Sequence, residues 1–152
     1  MTKNPQARVI LGENLQVLRR LREQSGPRFR LIYLDPPFDT GQTWKTREGI
    51  QAYSDRFAGD GFMAMMEERL RIVYDLLTED GSLFLHCDFR RAPHLQLLCD
   101  GIFGTGAREN PKAAGFRNEI VWIYGLGGSS PRYYPRKHDN LYWYTKSSQW
   151  FF

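Results

Sequence analysis

Apolar positions along this chain follow two kinds of pattern. Leu15, Leu18 and Leu21 recur at helical spacing with Arg19, Arg20 and Arg22 on the other faces, and Ser25-Gly26-Pro27 closes that helix. Phe62, Met65, Met66, Leu70, Val73, Leu76 and Leu77 line one side of a longer helix over 62–77, in which the methionines read as core filling. A further helix after Asp88 carries Leu95, Leu97, Leu98 and Ile102. Between the helices stand apolar runs of strand length at 8–11, 31–34 and 82–86, the last after a Glu79-Asp80-Gly81 turn. Segments 118–124 and 140–145 are rich in β-branched and aromatic residues and predict a closing antiparallel pair. Residues 39–60 are polar and glycine-containing, with Trp44, Tyr53 and Phe57 scattered through them, and read as a long loop beside a site.

Strand, helix, strand, helix and two more strands is the order of a doubly wound α/β sheet. Ligands of such sheets bind beyond the carboxyl ends of the strands, where Asp35 and the segment from His86 to Asp88 both fall. The 152 residues are one domain's worth of chain. No apolar stretch is long enough to cross a bilayer and the first residues lack the apolar core of a signal peptide, so no membrane partner is expected. Cys87 and Cys99 have neither metal-like spacing nor the number of a disulfide framework, which predicts a reducing, cytoplasmic setting. The alternating His-Cys-Asp at 86–88 does not suit a metal, so none is expected, and His86 reads as an interior strand residue. The net charge of +4 is unevenly spread: residues 105–152 hold 7 Lys/Arg against 3 Asp/Glu, while the rest balance at 14 and 14. Such an excess fits polyanion binding or a merely solvated surface.

The chemistry concentrates at Asp35-Pro36-Pro37-Phe38. The Asp35 carboxylate and the Pro36 carbonyl are acceptors suited to the hydrogens of an exocyclic amine, and the prolines fix the backbone that presents them. Phe38 offers a flat face for a base taken out of its helix. Pro-Pro after a strand is also an ordinary way to end pairing, so the tetrapeptide alone fits a site and a plain turn alike. Arg132, Arg136, Lys137 and His138, interleaved with Tyr133 and Tyr134, suit phosphate contacts or an exposed hairpin loop. Asp88 suits orientation of a ligand or a cap on the following helix. Two glycine-bearing segments, 103–106 and 124–129, lack the strand-loop-helix setting of a cofactor loop: the first closes a helix and the second leads to Pro131.

In order along the chain, the Gly12-Glu13-Asn14 stretch through Leu18, residues 31–38, Phe62-Met63, Glu68-Arg69-Leu70, 81–88, Ile102-Phe103-Gly104, 116–122 and 138–147 resemble the circularly permuted, β-type amino DNA methyltransferases. The resemblance is to the modification subunits of type III restriction systems and their adenine-N6 relatives, with Glu13 where those proteins have aspartate. It implies methyl transfer from S-adenosyl-L-methionine to a flipped adenine of double-stranded DNA. It assigns catalysis to Asp35, Pro36, Pro37 and Phe38, cofactor contacts to Asp35, Glu13 and Asp88, and DNA contacts to Phe38, Arg132, Arg136, Lys137 and His138. The family's Phe-x-Gly-x-Gly cofactor loop and target-recognition region match no segment here. Residues 1–152 are therefore expected to be the catalytic portion of a methyltransferase domain. The fold expected is α/β: a partial doubly wound, Rossmann-like methyltransferase sheet with a C-terminal antiparallel strand pair, lacking the cofactor-loop strands. The strand leading into Asp35 then becomes an apolar sheet edge, which predicts self-association or pairing with a complementary cofactor-binding chain. A catalytically inactive remnant or DNA-binding module, and an RNA or protein-amide methyltransferase, are the other readings.

Overall fold

A computed structural model describes residues 7–45, 51–55, 57, 61–125 and 130–150. Helix α1 (Asn14–Ser25) starts where both Glu13 carboxylate oxygens accept backbone N–H groups, from Leu15 at 3.1 Å and Gln16 at 3.0 Å, and it ends at Gly26. Strand β1 (Phe29–Leu34) leads to the tetrapeptide, and β2 (Gln42–Lys45) and β3 (Gln51–Asp55) form a separate antiparallel hairpin. Helix α2 (Gly61–Leu76) runs directly into β4 (Leu77–Asp88), followed by α3 (Ala92–Phe103), β5 (Gly115–Ile123) and β6 (His138–Thr145). The main sheet has the order β1-β4-β6-β5: β1 and β4 are parallel, and β6 runs antiparallel to both its neighbours. This is the α/β sheet with an antiparallel pair that the pattern of the chain predicts, and β1 stands at its edge.

The core lies on one face of that sheet. Leu83, Leu85 and Cys87 of β4 and Tyr142 and Tyr144 of β6 meet Phe62, Met66, Leu70 and Val73 of α2 and Leu95, Cys99 and Phe103 of α3. Helix α1 lies outside α2 with no fully buried residue, tied to it by the pairs Arg19–Glu68, Arg22–Asp75 and Arg69–Glu13. On the opposite face Phe84 and Trp143 stack at 5.7 Å and Trp150 meets Trp143 edge-on. Leu31, Tyr33, Ile120 and Trp122 of that face are 44–61% exposed, so no layer of the described residues covers it.

Four expectations change. Residues 8–11 form no strand: Val9 and Leu11 are 96% and 101% exposed, because an extended segment becomes a strand only beside a ladder partner. The 39–60 segment contains the β2–β3 hairpin, whose Thr43-Trp44 and Tyr53 are strand-formers that the surrounding polar residues mask in the sequence; residues 46–50, 56 and 58–60 lie outside the described set, as do 126–129 of the second glycine-bearing segment. Glu79-Asp80-Gly81 makes no turn; β4 continues through it, and the pairing with β1 skips from Phe29–Leu77 to Leu31–Ser82. Leu97 is 73% exposed, since the inward stripe of α3 is Leu95, Cys99 and Phe103 at i, i+4, i+8.

Candidate active site

β1 places Tyr33 and Asp35 on the uncovered face, and the parallel register sets them beside Phe84 and His86 of β4. β6 brings Asp139 level with Asp88, and β5 brings Trp122 level with Asp139. His86 is the node of this cluster. Its Nδ1 lies 3.0 Å from the Tyr33 hydroxyl and 3.4 Å from Asp35 Oδ1, and its Nε2 lies 3.3 Å from Asp139 Oδ2. Phe38 meets the imidazole edge-on at 5.3 Å, and Trp122 stacks on it at 5.9 Å. The Tyr124 hydroxyl donates to Asp139 Oδ1 at 3.4 Å. Burial, and then the carboxylates Asp35 and Asp139, push the Tyr33 phenol above its ordinary range; burial and then Asp139 do the same for Tyr124. Both hydroxyls therefore keep their protons and act as donors.

On its other side Asp35 opens into a cleft of about 250 Å³ between the 10–14 segment, α1 and the start of α2. Ile10, Val17, Leu18, Leu34, Met65 and Met66 give it apolar walls, and Asn14, Asp35 and Arg69 give it polar ends. Arg69 donates to Asn14 Oδ1 at 2.7 Å, to the Met65 carbonyl at 3.0 Å and to Glu13 Oε1 at 2.9 Å. A guanidinium has five N–H groups, so it retains donors beyond these three bonds. Asp35 thus stands between a cleft with cationic and acidic ends and a wall of aromatic rings.

The loop leaving the site is held by Asp39, a non-glycine residue with φ of 53°. Its Oδ2 accepts from Arg91 Nε at 2.8 Å and from Arg91 Nη2, and its Oδ1 accepts the Phe57 backbone N–H at 3.3 Å. Arg91 also lies over the Phe62 ring.

The Glu13 carboxylate is held below its ordinary range by the Leu15 and Gln16 N–H groups and by Arg69, and it is spent as the cap of α1 at the rim of the cleft. Asp88 accepts the Arg90 backbone N–H at 2.9 Å and pairs with the Arg90 guanidinium, which makes it a local brace of the turn before α3. Arg136 packs over the rings of Phe89 and Tyr133, 4.9 Å from each, and Lys137 donates to the Gly125 carbonyl at 3.4 Å. His138 begins β6, and Arg132 bonds Ser130 through its backbone N–H. Among the described residues no group of His, Cys, Asp and Glu can hold a metal ion. Cys87 and Cys99 are free and buried; burial pushes the Cys87 thiol up to about 12 and Cys99 higher still, so both are inert. The sequence pattern did not single out Asp139, Trp122 or Asp39, and it read His86, which it placed at the strand end, as an interior residue. For His86 the signal was present: it alternates with Leu85 and Cys87, which puts it on the face away from the helices.

The family described as DNA methylase matches residues 29–152. The probable type III restriction-modification enzyme HindVI Mod subunit of Haemophilus influenzae is 37% identical over 122 residues, covering 80% of this chain and 14% of its own length. The type II methyltransferase M.EcaI of Enterobacter cloacae is 34% identical over 62% of the chain and 21% of its length, and the EcoPI Mod subunit of Escherichia phage P1 is 27% identical over 95% and 25%. Among solved structures, the M1.HpyAVI–SAM complex superposes with a TM-score of 0.53 at 15% identity over 90% of this chain and 52% of that one. The cytosine-N4-specific PvuII DNA methyltransferase gives 0.55 at 13% identity over 92% and 49%, and both share the fold. The chain therefore spans a quarter or less of these curated relatives and about half of these solved structures. With β1, the tetrapeptide that follows it and the antiparallel pair all inside the matched region, the chain belongs to the DNA methylase family.

Proposed function

We propose that residues 1–152 form the catalytic portion of a DNA methyltransferase that moves a methyl group from S-adenosylmethionine to adenine N6. The observation that carries the reading is the position of Asp35, at the carboxyl end of β1 between a cleft and an aromatic wall. Adenine is favoured over cytosine because the resemblance puts aspartate first in adenine-directed tetrapeptides. DNA as substrate also implies a cytoplasmic location; no helix of the described residues is long and apolar enough to cross a membrane.

The cleft suits one end of the cofactor. A methionine-like moiety carries an amine, which matches Asp35, and a carboxylate, which matches Arg69 and Asn14, on an apolar stem that matches the walls. Bound there, S-adenosylmethionine supplies an electrophilic methyl group. Its volume of about 250 Å³ lies below the ~300–1,000 Å³ of whole small-molecule sites. The nucleoside end needs further walls, which this reading assigns to a complementary segment bearing the glycine-rich loop. That segment is the occupant we propose for the free β1 edge and the uncovered face, since the solved structures that share the fold are about twice as long.

The chain's own part in the reaction is to hold the amine. The N6 lone pair is delocalised into the purine ring, and acceptors at Asp35 and the Pro36 carbonyl favour the more tetrahedral nitrogen that attacks. Phe38 stacks on the flipped base, with Trp122 and Tyr33 completing the wall. Basic residues 132–137 beside Tyr133 and Tyr134 contact the phosphates flanking it.

Incorporation of labelled methyl groups into unmethylated DNA tests this, using the chain alone and with the cofactor-binding half of a relative added. Asp35→Ala is expected to lose at least about 100-fold of the transfer. No transfer in either mixture, with no calorimetric binding of S-adenosylmethionine, favours a non-catalytic DNA-binding module. One observation supports that second reading: the 103–106 glycines are packed against β5 and are not a cofactor loop. A second expected outcome concerns the edge. Without its complement the chain self-associates through β1 in sedimentation at micromolar concentration, and Leu31→Lys with Tyr33→Lys restores a monomer; a wild-type monomer overturns the edge assignment.

A further inference from the structure

His86 joins two carboxylates that do not otherwise meet. Its side chain is 11% exposed, and each ring nitrogen faces a different strand. Facing it are Tyr33 and Asp35 from β1 and its end, Asp139 from β6, and the uncharged rings of Phe38 and Trp122; Tyr124 reaches Asp139 only. Asp88 and Arg90, farther along, are paired with each other. The bonding around the imidazole differs between its two protonation states. When the ring is neutral, a proton on Nε2 avoids setting a ring lone pair against the Asp139 carboxylate; Nε2–H then donates to Asp139 and Nδ1 accepts from the Tyr33 hydroxyl, so the imidazole makes no claim on Asp35. When the ring is charged, Nδ1 becomes a donor and can no longer accept from Tyr33; of the two oxygens in reach, the Asp35 carboxylate at 3.4 Å carries the charge and draws it more strongly than the neutral Tyr33 hydroxyl at 3.0 Å.

We infer that His86 is a positioning residue whose protonation re-partners the site: neutral, it frees Asp35 as an acceptor; charged, it ties Asp35 to Asp139. The inference rests on the reading of Asp35 as the acceptor of the substrate amine. It deepens that reading by adding a pH control, because a lone pair given to an imidazolium is withdrawn from the amine. Reception of the base is thereby favoured while the ring is neutral and opposed while it is charged.

The test follows the carboxyl carbons of Asp35 and Asp139 by NMR in the full chain from about pH 5 to about pH 8, the span in which histidine changes charge. The expected result is one titration step shared by both carbons and lost from both in His86→Gln. If Asp35 shows no such step in the wild type, or keeps it in His86→Gln, the inference is overturned. His86→Asn replaces the glutamine variant if that one does not fold, and the wild-type spectrum alone can refute the idea. No cofactor or DNA is present, so failed methyl transfer leaves this result standing, and the absence of the step leaves the methyltransferase reading standing.

Discussion

Gly115→Ala is expected to cost at least about 3 kcal/mol, a large share of the ~5–15 kcal/mol that typically holds a domain folded. Gly115 has φ of 102°, in the left-handed half of backbone space. A methyl group there would stand 2.1 Å from the Gly104 carbonyl oxygen and 2.5 Å from its carbon. Neither side has room to give. Gly104 ends α3 by donating its N–H to Asp100 at 2.9 Å, and its carbonyl accepts the Phe116 N–H at 3.0 Å. Backbone strain of ~1–3 kcal/mol and overpacking of similar size add at one position. Gly101→Ala is the control with the opposite sign: it sits within α3 with nothing within 4 Å of the added carbon, and it gains up to about 1 kcal/mol. Urea midpoints of the two variants read both effects. A Gly115→Ala midpoint close to wild type would mean that Gly104 and Gly115 do not approach each other this closely.

That result bears on how much the sequence disclosed. The α2 stripe was legible because it imposes one period over enough residues to bury a face, and the run into Asp35 and the pair at the end of the chain because their apolar, β-branched and aromatic residues favour strands. The tetrapeptide was legible because its residue types suit one chemistry and its place follows from the strand before it. The far side of the His86 cluster was not. Asp139 is more than a hundred residues away and reaches the site only through the antiparallel register of β6, which no local pattern specifies. The 8–11 run was misread for a related reason: its residues are strand-formers, but strand formation depends on a neighbour that no described segment supplies. Asp39 looked like part of a polar loop, although its left-handed backbone and buried carboxylate make it the point where that loop is fastened.

Substitutions at Asp39 separate those two properties, and the order expected is Asn least damaging, then Gly, then Ala. Asn tolerates the left-handed backbone and keeps one oxygen, enough for Arg91, while its NH2 group stands where the other oxygen accepts from Phe57, so the charge and one hydrogen bond are lost, at about 1 kcal/mol. Gly accepts the backbone more readily still but leaves both partners without their acceptor. A fully buried arginine stranded this way costs ~3–5 kcal/mol. Arg91 is 27% exposed and partly regains water, which brings the loss to roughly 2 kcal/mol. Ala loses the same contacts and must also hold φ near 53°, adding ~1–2 kcal/mol. The gap between Ala and Gly therefore reads backbone strain alone, and the gap between Gly and Asn reads the side chain. Equal midpoints for Ala and Gly would deny the strained conformation, while Asn as damaging as Ala would mean that the charge on Arg91 governs the site. In either case the loop following Phe38 is the part expected to loosen first. Pro36 and Pro37 line the cleft, so the Ala variant should bind S-adenosylmethionine more weakly than its loss of stability alone explains.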